Sequence, residues 1–330
     1  MQAKIYSPTP ANLRRLAGAL RRGELVALPT ETVYGLAANA LDPRACRAIF
    51  RAKGRPANDP LIVHVLNLAQ AEELAEFNPV ARRLAKHFWP GPPTLVLPKK
   101  ACVPGIVTSG GDTVAIRSPA HPLARRLLRL AGVPLAAPSA NLFGYISPTA
   151  ANHVVDGLGR RVPSVLDGGT CAVGVESTIV DLTRPTRPQV LRPGAVTAAA
   201  LAKFMGVAVR TLPSRQSGVT GTGPMAAPGL MARHYSPRTP LRIKLPGRRL
   251  PPDVAAIFLR KPAGRPAANI RWLSQRGSLA EVARNLYRVL READGAGYRE
   301  IWVEALPAEA GGLATALRDR LKRAAATRNG

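Results

Sequence analysis

The feature that most restricts the fold is an alternation, sustained over residues 1–206, of short β-rich segments with helices that open on proline and close on glycine. Thr9-Pro10 precedes Leu13, Leu16 and Leu20, and Gly23 ends that pattern; Asp42-Pro43 precedes Ala45, Ile49 and Ala52, and Gly54 ends it. A polar cap, a proline in the first turn and a glycine past the end define a helix. Further helical patterns fall at Leu68–Glu76, Val80–Phe88, Pro122–Ala131 and Thr149–Leu158. Interleaved with them, Leu25–Leu28, Leu61–Leu66, Thr94–Leu97, Thr113–Arg117, Pro134–Ala137, Ser164–Leu166, Thr178–Leu182 and Gln189–Leu191 read as strands. So many short strands among helices predict a single mixed α/β domain with a large sheet, ending near Gly206.

Residues 207–240 change character. Ser214 to Pro224 is polar and Gly-rich without periodicity and reads as a linker. The segment after it, Ala227 to Pro237, carries Arg233, His234 and Tyr235 between prolines, which a spacer does not need, and so is expected to fold back over something. From Leu241 a second unit begins. Val254–Leu259, Ile270–Leu273 and Glu300–Ala305 read as strands; Ser278–Ala293 and Thr315–Ala325 read as helices, the former opening on a Ser278…Glu281 capping box. This order suggests a smaller, Rossmann-like α/β domain, although no GxGxxG predicts a dinucleotide there.

A length of 330 residues, 46% hydrophobic and 20% charged, suits a folded protein with real cores. No apolar run approaches the roughly 20 residues that span a bilayer, and the N-terminus lacks the apolar core of a signal peptide. Cys46, Cys102 and Cys171 are widely spaced and without CxxC, so neither a disulfide framework nor a zinc site is indicated and a reducing cytoplasm fits. The formal charge of +27 is spread along the whole chain and favours nucleotides, nucleic acid or acidic partners, although an Arg-rich composition also reflects codon usage.

Against that background Lys53-Gly54-Arg55-Pro56, followed by Asp59-Pro60 and an apolar run to His64, stands out. If the segment is extended, Lys53 and Arg55 share a face, and two adjacent cations are best reconciled by a bridging anion such as a polyphosphate. Other candidates are distributed: the hydroxyl-bearing Pro29–Leu36 loop, Thr113 and Arg117 on one strand face, Pro138-Ser139-Ala140-Asn141 after a buried strand, Gly174–Asp181, and Leu191–Gly194. There is no GxxxxGK[ST], HExxH, GxSxG or paired Cys ligand set. Each candidate has a plainer account: Thr32 and Ser177 as turn residues, Arg117 and Arg192 as surface ion-pair members, His64 as a core histidine.

Together, in order, PTETVYGL, KGRP…PLIVHV, PSAN, GVESTIVD and LRPG resemble the threonylcarbamoyl-AMP synthases with the YrdC-type fold. PGLMARHYSP and the helices after it resemble the C-terminal domain of the long, two-domain members. The resemblance implies a YrdC-like twisted mixed sheet over 1–206, a linker and active-site lid over 207–240, and a C-terminal domain over 241–330. It implies the reaction of L-threonine, bicarbonate or CO2, and ATP to threonylcarbamoyl-AMP and pyrophosphate. That is the first step of threonylcarbamoyladenosine formation beside the anticodon of tRNA, and a separate transferase completes it. Carried over by position, Lys53, Arg55, Ser139 and Asn141 are the expected catalytic residues. Thr32, His64, Arg117, Ala137 and Ser177 are expected at threonine; Arg55, Asp59, Thr113, Ser139, Ser147, Arg192 and Tyr235 at ATP. Mg²⁺ would arrive with ATP and be held mainly by its phosphates. Two departures from the family pattern are Asn58-Asp59, where Asp-Asn is usual, and Met231-Ala232, where a basic and an aromatic residue are usual. A non-catalytic module that binds tRNA or double-stranded RNA on the same basic surface is the second reading. A carbamoyl transferase of the hydrogenase-maturation type would need zinc-finger cysteines and an acylphosphatase domain, which the chain lacks.

Overall fold

Proline-led helices alternating with short strands assemble into one large sheet and one small one. A computed structural model describes residues 3–212, 234–244, 250–307 and 311–326. In chain order the first unit runs β1 (Lys4–Tyr6), α1 (Pro10–Arg21), β2 (Val26–Leu28), β3 (Gly35–Asn39), α2 (Pro43–Lys53), β4 (Ile62–His64), α3 (Leu68–Glu72) and α4 (Pro79–Phe88). It continues β5 (Pro93–Pro98), β6 (Thr113–Arg117), α5 (Pro122–Ala131), β7 (Leu135–Ala136), α6 (Ala151–Leu158), β8 (Ser164–Leu166), β9 (Thr178–Asp181), β10 (Gln189–Arg192), α7 (Ala198–Met205) and β11 (Arg210–Thr211). The strands form a mixed sheet ordered β1-β8-β2-β3-β7-β4-β6-β5-β9-β10-β11.

The helix caps work as their residues dictate. Thr9 accepts from the Asn12 amide and Asp42 from the Arg44 amide, while Gly54 stops α2 in the left-handed conformation at φ 62°. Helices cover both faces. Leu13, Leu16 and Leu20 of α1 meet Leu127 and Leu128 of α5 over Val26, Leu28 and Leu135. On the opposite face Ile49, Leu84 and Val154, from α2, α4 and α6, close over Leu36, Val63, Leu95 and Ile116. Strands β4 and β6 run parallel with His64 paired to Arg117 at their carboxyl ends, the edge at which open α/β sheets gather ligand-facing side chains.

The second unit comprises β12 (Leu241–Ile243), β13 (Val254–Arg260), β14 (Ile270–Ser274), α8 (Leu279–Asp294), β15 (Glu300–Val303) and α9 (Leu313–Ala324). Its sheet, ordered β12-β15-β13-β14, is parallel throughout. Its apolar core does not stop at its own elements: Val33, Ile146 and Val175 of the first unit belong to the same cluster as Leu286, Tyr287, Leu290, Leu317 and Leu321. At Gly174, with φ +82°, an added Cβ would lie 2.4 Å from Cα of Arg284, so only glycine lets the 170s loop sit against the backbone of α8.

Several expectations are corrected. Lys53 and Arg55 do not share an extended segment: α2 runs through Lys53 and Gly54 turns the chain before Arg55. Ser278 caps α8 only by position, because its hydroxyl makes no capping bond and Glu281 accepts instead from the Ser274 hydroxyl. Strands β1, β3, β11 and β12 and helix α7 were not predicted. β3 reads GLAAN, without the β-branched residues that advertise a strand, and is a strand because β2 and β7 pair with it on either side. Residues 213–233, including Met231, Ala232 and Arg233, lie outside the described residues.

Candidate functional site

The carboxyl ends of β4, β6 and β10, the loop before β3 and the loop after β7 surround one cavity. Thr32, Gly35, Arg55, His64, Arg117, Ala137, Ser139, Ser177, Arg192 and Tyr235 line it, joined by Thr30, Glu176 and His234. It encloses about 500 Å³ including the solvent at its mouth. His234 and Tyr235 form part of its wall and are themselves buried.

The three lining arginines are each fixed by different partners. Arg55 donates from Nε to the Asp59 carbonyl at 2.9 Å and from Nη2 to the Pro60 carbonyl at 2.6 Å. The Asp59 carboxylate sits 2.8 Å from the same Nη2. Asp59, awkward as a neighbour of phosphates, is therefore the counter-ion that lets Arg55 be buried, since an uncompensated interior cation is costly. Arg117 pairs with Glu31 at 2.7 Å and donates from Nη1 to the Thr32 hydroxyl at 2.9 Å. Burial alone would raise the Glu31 carboxyl, but the charge and hydrogen bond of Arg117 hold it below its ordinary value. Arg192 donates to the Ser177 carbonyl from Nε and to the Ser177 hydroxyl from Nη2, at 3.1 and 2.9 Å.

The hydroxyls acquire a fixed polarity from these contacts. Thr30 gives its proton to the Val33 carbonyl at 2.6 Å, so in the 2.9 Å contact between the two threonines Thr32 is the donor. Thr32 has thus spent its proton and, after Arg117, keeps acceptor capacity. Ser177 is the reverse: its oxygen accepts from Thr94 at 2.8 Å and from Arg192, which leaves its own proton to offer. One wall accepts and the other donates. His64 is pushed down to about 3 by burial, with Arg117 adding to it, so the imidazole is neutral at physiological pH. Among the described residues its Nδ1, Nδ1 of His234 and the Tyr235 hydroxyl are buried without a hydrogen-bond partner. Buried polar atoms of this kind ask for a ligand or water. Tyr235 also holds a left-handed backbone at φ 62°, a conformation costing roughly 1–3 kcal/mol that persists at functional sites when the surroundings enforce it.

Five candidate residues stand behind the lining instead of on it. Lys53, almost wholly buried, donates from Nζ to the carbonyls of Ser139 and Asn141, both at 2.6 Å, and so anchors the loop that presents Ser139. Burial, with Arg55 adding to it, depresses its ammonium well below the ordinary lysine value. Asn141 ties that loop together by donating to the carbonyls of Leu142 and Tyr145. Asp59 serves Arg55. Ser147 donates to Glu176 at 2.5 Å. Thr113 opens β6, at the end of that strand away from Arg117.

Sequence reasoning missed Glu31, Glu176, Thr30, Thr94 and the second unit's contribution. The two glutamates lay inside quoted motifs, and a carboxylate among hydroxyls facing an excess of arginine was the available signal. Arg320 and Tyr287 gave none: each sits on an amphipathic helix where the pattern reads as an ordinary solvated or core face.

A mixed sheet carrying arginines, hydroxyls and a neutral imidazole around one cavity defines a protein that binds and orients anions. The comparisons place it further: the chain belongs to the Sua5/YciO/YrdC family, whose model, described as telomere recombination, matches residues 18–194. A second family, the threonylcarbamoyl-AMP synthase C-terminal domain, matches residues 196–326. The chain is 42% identical to the threonylcarbamoyl-AMP synthase of Pyrococcus abyssi over 96% of its length and 94% of that protein. It is 39% identical to the Bacillus subtilis protein of the same name, over 98% and 95%. Among solved structures, Pyrococcus abyssi Sua5 complexed with L-threonine superposes with a TM-score of 0.87 at 38% identity, covering 98% of both chains.

Proposed function

We propose that this protein is an L-threonylcarbamoyladenylate synthase, joining L-threonine, bicarbonate or CO2, and ATP to give threonylcarbamoyl-AMP and pyrophosphate. The observation that carries the proposal is the convergence of Arg55, Arg117 and Arg192 with the oppositely poled hydroxyls of Thr32 and Ser177 on one cavity. Full-length similarity to named synthases supports it. On this reading the chain divides into a catalytic domain (1–206), a linker and lid (207–240) and a C-terminal domain (241–330).

The chemistry asks for positioning more than for reactive side chains. Threonine's neutral amine adds to CO2 and releases a proton to solvent to form a carbamate, whose oxygen attacks the α-phosphorus of ATP; the bond from that phosphorus to the bridging oxygen breaks and pyrophosphate leaves with the electron pair. Two anions must be held together against their repulsion, and fixed cations do this by field and geometry. Arg117 suits the threonine carboxylate, and Thr32, Ser177, His64 and the Ala137 backbone suit its hydroxyl and amine. Arg55 and Arg192, with Ser139, suit the nucleotide phosphates, and Tyr235 closes over them. Lys53, Asn141, Asp59 and Ser147 act by holding these groups in place, and Thr113 remains assigned to the nucleotide. Among the described residues no three carboxylate, imidazole or thiolate groups gather as a metal site. Mg²⁺ on this reading is a companion of ATP, bound chiefly to its phosphates.

The product would pass to a transferase that acts on tRNA in the cytoplasm. No helix of the described residues is long and apolar enough to cross a membrane. Direct contact with tRNA or double-stranded RNA rests on the +27 charge, and a steep salt dependence would accompany it. The deciding assay is pyrophosphate release from ATP: it should require threonine and bicarbonate together; release indifferent to threonine would refute the assignment, and no release under any condition would favour the binding module.

A further inference from the structure

Glu176 is a carboxylate in the wall of a cavity otherwise dominated by cations, and two of its partners come from helices of the second unit. Its Oε1 accepts from Ser147 at 2.5 Å. Its Oε2 accepts from the Tyr287 hydroxyl of α8 at 2.8 Å and from Nε of Arg320 of α9 at 2.7 Å. Arg320 is about as buried as any side chain in the molecule and does more than this. Its Nη2 donates to the carbonyl of Pro193, next to Arg192, at 2.9 Å. Its guanidinium carbon lies 5.1 Å from the centre of the Tyr235 ring, which also stacks on Tyr287 with ring centres 5.9 Å apart. Asp319 completes the set at 2.7 Å from Nη1. One guanidinium therefore touches three separate pieces of the cavity wall: the Glu176 carboxylate, the backbone that carries Arg192, and Tyr235.

We propose that Arg320 is a positioning residue for the nucleotide half of the active site, through which the C-terminal domain sets the placement of Glu176, Arg192 and Tyr235. This rests on the synthase reading above. A planar guanidinium holds five donors in a rigid, spread fork, so it can brace partners several ångströms apart, whereas an ammonium offers three donors about a single point. A buried ion pair is in general no gain in stability over well-packed apolar groups, so domain adhesion alone is a weak reason for this one. The groups facing Glu176 are Arg320, Tyr287, Ser147, Arg192 and Tyr235. With Arg320 gone, burial would push its carboxyl up, opposed among the described residues by the charge of Arg192.

The test compares Arg320→Met, Arg320→Lys, Glu176→Gln and the double variant Glu176→Gln/Arg320→Met in the full chain. Pyrophosphate release is followed as a function of ATP and threonine, with ATP binding by calorimetry and thermal melting alongside. Arg320→Met should raise the KM and Kd for ATP about tenfold or more and threonine's KM less, with activity partly recovering as pH is raised. Arg320→Lys should fall between Arg320→Met and wild type. The double variant, with no orphaned charge, should melt close to wild type, lose the pH dependence and still bind ATP weakly. If Arg320→Met or the double variant binds and uses ATP within twofold of wild type, or if all losses track melting temperature with no change in KM, the proposal is wrong. Should Arg320→Met fail to fold, the Arg320→Lys and double variants decide alone. A wild-type chain that binds ATP but makes no threonine-dependent pyrophosphate would defeat the synthase reading, while the ATP affinities would still judge Arg320.

Discussion

At the scale of single residues the site works by division of labour between groups that face the cavity and groups that hold them. Arg55→Ala removes a lining cation together with the buried ion pair it makes with Asp59. Turnover should fall roughly a hundredfold or more, and single-turnover pyrophosphate release would show it. Lys53→Ala should cost a similar factor for another reason, through collapse of the Ser139–Asn141 loop that its ammonium pins. The two losses should therefore separate in structure: the loop should become protease-sensitive in Lys53→Ala and not in Arg55→Ala. Substrate choice should be lopsided. Valine leaves the Ser177 proton and the Thr32 lone pair unsatisfied and should be used roughly a thousandfold less well than threonine, or worse, whereas serine forgoes only a methyl worth about 1–3 kcal/mol. Equal kcat/KM for valine and threonine would mean the polarised walls do not read the substrate. Motifs made most of this legible, since hydroxyls and arginines at fixed spacings declare anion handling. They could not show that Lys53 turns under the loop, because that depends on where α2 ends.

At the scale of elements, helices were easier to read than strands. Prolines, caps and glycines are local signals, and α5 spans the residues its pattern predicts. By contrast β1, β11 and β12 have two or three residues each and exist only because neighbours pair with them, information held far away in the chain. Contact between elements gives a sharper test. Because the 170s loop meets the backbone of α8 at Gly174, Gly174→Ala combines a disfavoured dihedral with a clash that no side-chain rotation relieves. It should destabilise the protein by roughly 2 kcal/mol or more and weaken ATP use, since Glu176 lies two residues on. Thermal melting together with the KM for ATP would reveal it, and an unchanged melting temperature would mean the two units do not press together there.

For the whole molecule, acid should act through histidine before it acts through carboxylates. Burial, reinforced by nearby arginines, lowers His64 to about 3 and His153 to about 4, and His234 lies well below its ordinary value. An unfolded chain would bind protons at these imidazoles near pH 6.5 and the folded one would not. Stability is thus complete above pH 6.5 and is lost as pH falls from there toward the folded values, by about 1.4 kcal/mol per pH unit for each imidazole still resisting protonation. Denaturant midpoints at pH 7.5, 6 and 5 should decline steadily. A plateau down to pH 5 would assign acid sensitivity to carboxylates held down by their partners, Glu31 and Glu176 among them. The shared apolar cluster also predicts one calorimetric transition for both units. The two-sheet organisation was legible from the Gly-rich stretch and the return of strand patterns from Val254, but the continuity of the core was not, for a valine in a loop looks the same whether it meets water or another domain.

That continuity bears on anyone tempted to trim the protein. Residues 1–206 expressed alone would bare Val33, Ile146 and Val175 and strip Glu176 of both Tyr287 and Arg320. The larger fragment would be no minimal catalyst. It would be a sticky, self-associating body with Glu176 left unbraced beside the place where its nucleotide ought to lodge.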